Sequence, residues 1–275
     1  MLKLLGHGLA VLLLTAVTQV GGIAWLAALL LRRAFAPRPL FRWPLLLLLF
    51  LLCYVGASFT AETLAERRDR IALPCGASES RHLVMASPLY CLLNRHYVST
   101  ETYYLVDGLA REMDERFPGT LTQALDAGFP LLDDFPLLPH LSHDDGRKVD
   151  LAFYYRDPSG SYQRGLLASP FGYWGFAPPR PGEPLPCAGD DAFLTLRWDM
   201  EWLRPFLRTG ATLDEERTRA ALQWLVAEGD SGGRLNRILL EPHLKSRFGL
   251  ASDRIRFQGC RAARHDDHIH IESRY

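Results

Sequence analysis

The chain has 275 residues, with 31 Lys+Arg and 31 Asp+Glu. A hydrophobic share of 48% with 23% charged residues excludes a disordered chain, and 18 Pro with 22 Gly are too few and too scattered for a fibrous one. The zero net charge excludes a nucleic-acid binder held by bulk electrostatics, but it averages two unlike parts. Residues 1–61 carry five basic side chains, Lys3, Arg32, Arg33, Arg38 and Arg42, and no acidic one, so residues 62–275 carry a net charge of −5.

Leu4 to Leu31 is a run of 28 residues without Asp, Glu, Lys or Arg, though it contains His7, Gln19 and the Gly21-Gly22 pair. Pro44 to Ala61 is a second uncharged run, of 18 residues. About 20 apolar residues cross a bilayer, so the pattern predicts a membrane anchor over 1–61 with two transmembrane helices, about 4–31 and 44–61. The Arg-rich loop 32–43 between them is cytoplasmic by the positive-inside rule. Both termini and residues 62–275 are then expected outside the cytoplasmic (inner) membrane, in the periplasm or extracytoplasmic space. A signal peptide is the competing reading of the first run, but its apolar core spans only about 7–15 residues and would leave the second run unexplained.

Residues 62–98 read as a juxtamembrane region stapled by disulfide, and 99–275 as the main domain. Thr60 to Ile71 continues the second span, and Leu73 to Asn94 is irregular. Thr100 to Phe117 is an amphipathic helix capped by Ser99 or Thr100 and stopped by Pro118-Gly119. Leu121 to Ala127 is expected as a short helix. Val149 to Tyr155 is expected as a strand, followed by a hairpin turn at Asp157-Pro158-Ser159-Gly160. Residues 168–187 are rich in Pro, Gly and aromatics, and 191–206 read equally as strand or helix. Leu213 to Glu228 is a helix with Thr212 as cap and acids in its first turn. Arg237 to Leu240, Ile255 to Gln258 and His268 to Ser273 are strands, and Pro242 to Phe248 a short helix. The class is α+β, a small antiparallel sheet with flanking helices. Cys53 lies in the second span as a small apolar side chain. Cys75, Cys91, Cys187 and Cys260 form an even set in an exported part. Of their three pairings, Cys75–Cys91 as a local clip with Cys187–Cys260 as the long bridge is expected.

Five of the nine histidines fall in two short segments, Pro139-His140-Leu141-Ser142-His143 with Asp150 shortly after, and His265-Asp266-Asp267-His268-Ile269-His270-Ile271. On a strand, period two sets His268 and His270 on one face and Ile269 and Ile271 on the other. Val149 and Leu151 flank Asp150 in the same way, and Gly146 permits the turn that returns His143 to it. Two imidazoles and a carboxylate make a three-ligand site suited to zinc, with a further position open to water. Unliganded histidines beside it serve proton transfer, and His268 and His265 are the spare bases. The competing reading is a solvated His/Asp-rich surface. Asp144-Asp145 and Asp266-Asp267 are expected to solvate their loops, and the aromatics at 171–176 form either a substrate lip or a packed loop. Gly229-Asp230-Ser231-Gly232-Gly233 matches a serine-protease motif, but it directly follows a strong helix, where it reads as a C-terminal turn.

The pattern His140-x-x-His143, Asp150 and then His265-x-x-His268-x-His270 resembles the penicillin-insensitive murein endopeptidases, zinc peptidases of peptidoglycan. The likeness runs from about Leu121 to the C-terminus and includes Arg237-Ile238-Leu239-Leu240 with Leu244-Lys245. It implies that His143, Asp150 and His270 bind Zn2+, and that His268 is the catalytic base or transition-state stabiliser. It implies that His140 and His265 flank the metal and hold the reacting peptide or water. The implied reaction is hydrolysis of D-amino-acid peptide bonds in cross-links, with peptidoglycan peptide as the substrate partner. A D,D-carboxypeptidase or dipeptidase of the same superfamily is the alternative. Those relatives place Glu-x-x-His before the last ligand, where this chain has Asp267. A catalytically silent peptidoglycan-binding membrane protein is the other alternative.

Overall fold

The apolar N-terminal part folds as three helices. α1 (Leu2–Thr18) and α2 (Gly21–Phe35) are separated by Gln19, whose backbone is left-handed at φ 65°. Thr18 ends α1: its hydroxyl donates to the Leu14 carbonyl at 2.7 Å and accepts from the Gly21 amide at 2.8 Å. The chain then doubles back. His7 of α1 stacks 5.9 Å from Trp25 of α2, and 6.1 Å from Trp43 at the start of α3 (Arg42–Ala65). A Cβ on Gly22 would run into Thr15 and the Val11 carbonyl, so glycine there is what allows α1 and α2 to pack so closely. The expected single span over 4–31 is therefore two shorter helices. The polar Gln19 and the glycine pair turn the run on itself where length alone predicted continuity. Among the described residues one helix, Arg42–Arg68, is long and apolar enough to cross a membrane. This computed structural model describes residues 2–35, 38–76, 78–189, 195–197, 205 and 209–274.

The domain beyond is built on a six-stranded sheet. In chain order the strands are β1 (Ile71–Ala72), β2 (Leu83–Met85), β3 (Tyr97–Val98), β4 (Thr122–Ala124), β5 (Lys148–Ala152), β6 (Tyr155–Arg156), β7 (Thr212–Leu213), β8 (Leu235–Leu239), β9 (Ile255–Arg256) and β10 (His268–Ser273). The main sheet runs β2-β4-β5-β10-β8-β9, and β1-β3 and β6-β7 are separate two-stranded pairs. The expected antiparallel sheet is found at its centre, over β4, β5, β10 and β8. The outer pairs β2-β4 and β8-β9 are parallel, so the sheet is mixed. The expected helix over Leu121–Ala127 is instead strand β4. Its backbone completes the ladder between β2 and β5, and that tertiary pairing overrides the local preference of a short segment.

The remaining helices are α4 (Pro88–Leu92), α5 (Thr100–Arg116), α6 (Glu215–Asp230) and α7 (Pro242–Arg247). Of the two candidate caps, Ser99 and Thr100, it is Ser99 that caps α5, accepting from the Thr102 amide. Asp214, rather than Thr212, caps α6, because its carboxylate reaches the Arg217 amide. Leu105, Leu109 and Met113 of α5 and Leu222 and Leu225 of α6 bury against Ile269 and Ile271 of β10 and Val149 and Leu151 of β5 in one core. Both disulfides pair as expected, Cys75 with Cys91 and Cys187 with Cys260. The hairpin turn at 157–160 is present, with Asp157 and Ser161 bonded across it. Ser231 lies in the turn after α6, where its hydroxyl donates to the Glu228 carbonyl, in keeping with the C-terminal reading of that motif. Of the ambiguous segment 191–206, all but 195–197 and 205 lie outside the described residues.

Candidate metal centre

The centre lies on the β5–β10 pair. Antiparallel register sets His270 directly opposite Asp150 and His268 opposite Ala152. Period two then sends Ile269 and Ile271 into the core. His143 comes from the preceding loop, through Gly146 at φ 70°. A side chain at Gly146 would strike the Arg70 guanidinium, while its carbonyl accepts from Ser99 and Thr102 of the α5 start. Glycine is required there both for the turn and for the close approach.

Three donor atoms converge. His270 Nδ1 lies 2.8 Å from Asp150 Oδ1, His143 Nε2 lies 3.2 Å from His270 Nδ1, and His143 Nε2 lies 3.4 Å from Asp150 Oδ1. Donors that share one zinc ion at about 2.0–2.1 Å in a tetrahedron stand roughly 3.3 Å apart, so the set fits such an ion. The outer contacts fit as well. His143 Nδ1 lies 3.0 Å from the Ala127 carbonyl, which fixes the proton on that nitrogen and turns the lone pair of Nε2 to the centre. Tyr173 donates its hydroxyl to Asp150 Oδ2 at 2.7 Å, leaving Oδ1 to the imidazoles. Burial drives the His270 pKa down to about 4, so its ring is neutral and ligand-ready. Burial alone would raise the Asp150 carboxyl, but the neighbouring His143 and His268 hold it well below the usual range.

The other three predicted histidines are brought to the same place and are held differently. His268 Nδ1 pairs with Asp267 Oδ1 at 2.5 Å, and its Nε2 stands 3.5 Å from Asp150. Burial works against its charge, but Asp150 and Asp267 outweigh burial and hold its pKa up at about 9. His140 Nδ1 bonds Asp126 Oδ2 at 3.0 Å and stands 3.5 Å from Asp150. His265 stacks 5.1 Å from His268 and 5.4 Å from His270, and burial, followed by those two rings, lowers its pKa well below normal. His265, His268 and His270, and separately His140, His143 and Asp150, are groups whose donor atoms lie within 4.8 Å of one another.

Two expectations about the acids are corrected. Asp266 and Asp267 do not solvate a loop: they are 1% and 3% exposed. Asp266 takes a bidentate pair from Arg264, and Asp267 holds His268 and the Trp174 amide. A buried carboxylate must be paired, and both are. Asp145 bonds Arg147 and Lys148, and Asp144 reaches Lys148 at 3.7 Å, so these two acids pair with the basic side chains of β5's approach.

The residues that sequence reading missed are Asp126, Arg95 and Tyr173. Asp126 is buried, gripped by Arg95 at 2.6 and 2.7 Å, and bonded to His140. A lone acid inside Ala124-Leu125-Asp126-Ala127 was the available signal, because an apolar segment tolerates a carboxylate only with a partner. Tyr173 lies in the aromatic segment, where lip and packing readings were weighed; its hydroxyl reaches the centre itself. A cleft of about 470 Å³ opens onto His140 and His268. Searches against protein-family models and curated proteins return no match to this chain.

Proposed function

We propose that the chain is a membrane-anchored zinc metallopeptidase that hydrolyses D-amino-acid peptide bonds in peptidoglycan cross-links. The observation that carries the reading is the convergence of His143 Nε2, Asp150 Oδ1 and His270 Nδ1, from two segments 120 residues apart, on one buried point. The spacing His140-x-x-His143…Asp150 and His265-x-x-His268-x-His270, which resembles the murein endopeptidases, supports the substrate class. His143, Asp150 and His270 would hold the ion. Zinc in such a set supplies Lewis acidity to a water and to a scissile carbonyl.

The chain's own groups divide the remaining work. His268, kept cationic by Asp150 and Asp267 from the protein's own charges, suits stabilisation of the developing oxyanion and proton donation to the leaving amine. This favours the stabiliser role over the base role that the resemblance left open. His140, positioned by Asp126, and neutral His265 flank the reacting group. Tyr173 fixes the Asp150 carboxylate in one orientation.

α3 serves as the anchor, with the α1–α2 hairpin along it. Leu47, Leu48, Leu51, Leu52 and Val55 of α3 and Leu5, Leu9, Leu12 and Leu13 of α1 turn outward, as a surface facing lipid does. The antiparallel hairpin brings the Lys3 end of α1 beside Arg32, Arg33, Arg38 and Arg42. The N-terminus would then share the cytoplasmic side with the Arg-rich loop, and the catalytic domain would lie opposite, outside the membrane.

The test uses the detergent-solubilised full chain with cross-linked muropeptides and mass spectrometry of the products. His143→Ala and His268→Ala are both expected to abolish cleavage, while only His143→Ala strongly lowers bound zinc by elemental analysis. Full cleavage by either variant, or by metal-stripped protein, overturns the mechanism.

A further inference from the structure

The cleft beside the centre does not look like a site for a polar polymer alone. Its charged and imidazole lining is His140, His268, Asp126, Asp267, Arg95 and Arg264, and the rest is mostly apolar or aromatic, with Leu89, Tyr90, Leu93, Phe171, Trp174 and Phe176. A pocket for a short polar peptide needs donors and acceptors to spare, whereas here Arg95 is engaged by Asp126, Arg264 by Asp266 and Asp267 by His268, and what remains is mostly hydrocarbon and ring faces.

Both sides of the cleft are tied to the N-terminal helices. α4 supplies Leu89, and Leu93 follows directly. At the end of the same short helix, Tyr54 of α3 donates to the Leu92 carbonyl at 2.6 Å, and Asn94 donates to Tyr54 and to Ser58 at 3.1 Å. Pro139 and His140, on the other side, belong to the segment that begins at Leu131. Gln19, in the turn between α1 and α2, accepts from the Leu131 amide at 2.8 Å and reaches the Leu132 carbonyl, and Arg68 bonds the Leu131 carbonyl. Around these ties stand exposed leucines: Leu89 at 44%, Leu92 at 60%, Leu138 at 54% and Leu141 at 53%. They lie on the segments that these bonds tie to the helices, between the helices and the cleft's lining. Tyr54 lies twelve residues into α3, about 18 Å along it at 1.5 Å per residue, short of the roughly 30 Å of a bilayer's hydrocarbon, so the domain is seated low against the helix.

We propose that this cleft receives the hydrocarbon chain of a membrane-anchored substrate, so that the centre acts on peptide presented from the bilayer surface. The cleft's chain binding follows from the lining and its ties to the helices; the hydrolysis of what is bound rests on the peptidase reading above. Chain and head group divide between the apolar and the imidazole lining: methylenes pack on Leu89, Phe171 and Trp174, and the peptide reaches His140 and His268. Each tenfold gain in affinity corresponds to burying about two methylenes.

The experiment uses the full chain in phosphatidylethanolamine–phosphatidylglycerol nanodiscs. The probe is a cross-linked muropeptide bearing a C16 chain with a terminal diazirine, and the adducts are mapped by mass spectrometry. Adducts on the cleft walls are expected, and Leu89→Asp, at an already exposed position, is expected to cut them about tenfold while adducts on α3 stay constant. Adducts confined to the helices overturn the proposal. So does equal labelling of the cleft by a diazirine phosphatidylglycerol, which would assign it to bulk lipid. Partition into the bilayer lowers KM without any cleft, so the kinetic arm compares the KM ratio of chainless to chain-bearing muropeptide in the two proteins. The ratio is expected to fall about tenfold in Leu89→Asp, and an unchanged ratio overturns the inference. Cleft adducts with no hydrolysis of either compound would remove the peptidase reading and leave the chain-binding cleft standing.

Discussion

The helical unit and the sheet domain treat burial in opposite ways. The helices turn most of their leucines outward and bury small or polar residues, Gly21, Gly22, Ala24, Ala28, Thr18 and Gln19, beside a small cluster of Trp25, Leu46 and Leu49. The domain buries a core of leucines and isoleucines under its sheet and holds buried charge in pairs such as Arg95 with Asp126 and Arg264 with Asp266. Under the anchor reading proposed above, the difference teaches that each unit is folded for its own solvent. Where hydrocarbon surrounds a unit, close helix packing through glycine and alanine holds it together. Where water surrounds it, hydrophobic burial does. The candidate metal centre belongs to the second kind, since its carboxylates stay buried with imidazoles, a guanidinium and a phenol to satisfy them.

The comparison breaks most visibly if a buried charge is left alone. Asp126→Ala removes the partner of both Arg95 and His140. It is expected to destabilise the domain by about 3–5 kcal/mol, read as a shifted urea midpoint of the full chain, with cleavage reduced as His140 loses its orientation. A change under 1 kcal/mol would mean that the pair is hydrated rather than closed.

A buried neutral histidine gives a milder, pH-dependent version. His96 has an Nδ1 without a hydrogen-bond partner, and burial lowers its pKa to about 4. Its folded pKa lies below its unfolded value of about 6.5. Its contribution is therefore complete above that pH and is lost as pH falls toward 4, by at most about 3 kcal/mol. Wild type minus His96→Gln should show that loss between pH 6.5 and 4 in denaturation curves, and a flat difference would sink the assignment.

The smallest expected effect on the domain comes from the other unit. Gly22→Leu overpacks the α1–α2 contact, at a cost of about 1–3 kcal/mol within the helices, and should lower the melting temperature of the helical unit while zinc content stays as in wild type. Loss of zinc in that variant would show that the two units do not fold by separate rules.

The site was more legible than its setting. β10 was bounded correctly at His268–Ser273 because alternating His and Ile leave a period-two mark that no helix shares, and α5 and α6 carry caps and periodic apolar faces. The segment 121–127 was misread because three residues of strand hold no period. Their conformation comes from β2 and β5, distant in sequence. The run 4–31 was read through its break because hydropathy counts apolar residues and is blind to a single left-handed Gln19. Asp267 reads as a loop acid in sequence because its burial is conferred by the 171–176 segment, through the Trp174 amide, and not by its neighbours.

By itself, the sequence determined which side chains are chemically competent, how they are spaced, where charge is withheld and which cysteines are available. These are local properties, carried by composition and by periods of two and 3.6 residues. Only the tertiary structure decided that His270 stands opposite Asp150, that Asp126 and Tyr173 complete the centre, and that the helices fold back on themselves beneath an apolar cleft. Each of those is a contact between segments far apart in the chain, set by strand register and by packing, and none is written in any single stretch of residues.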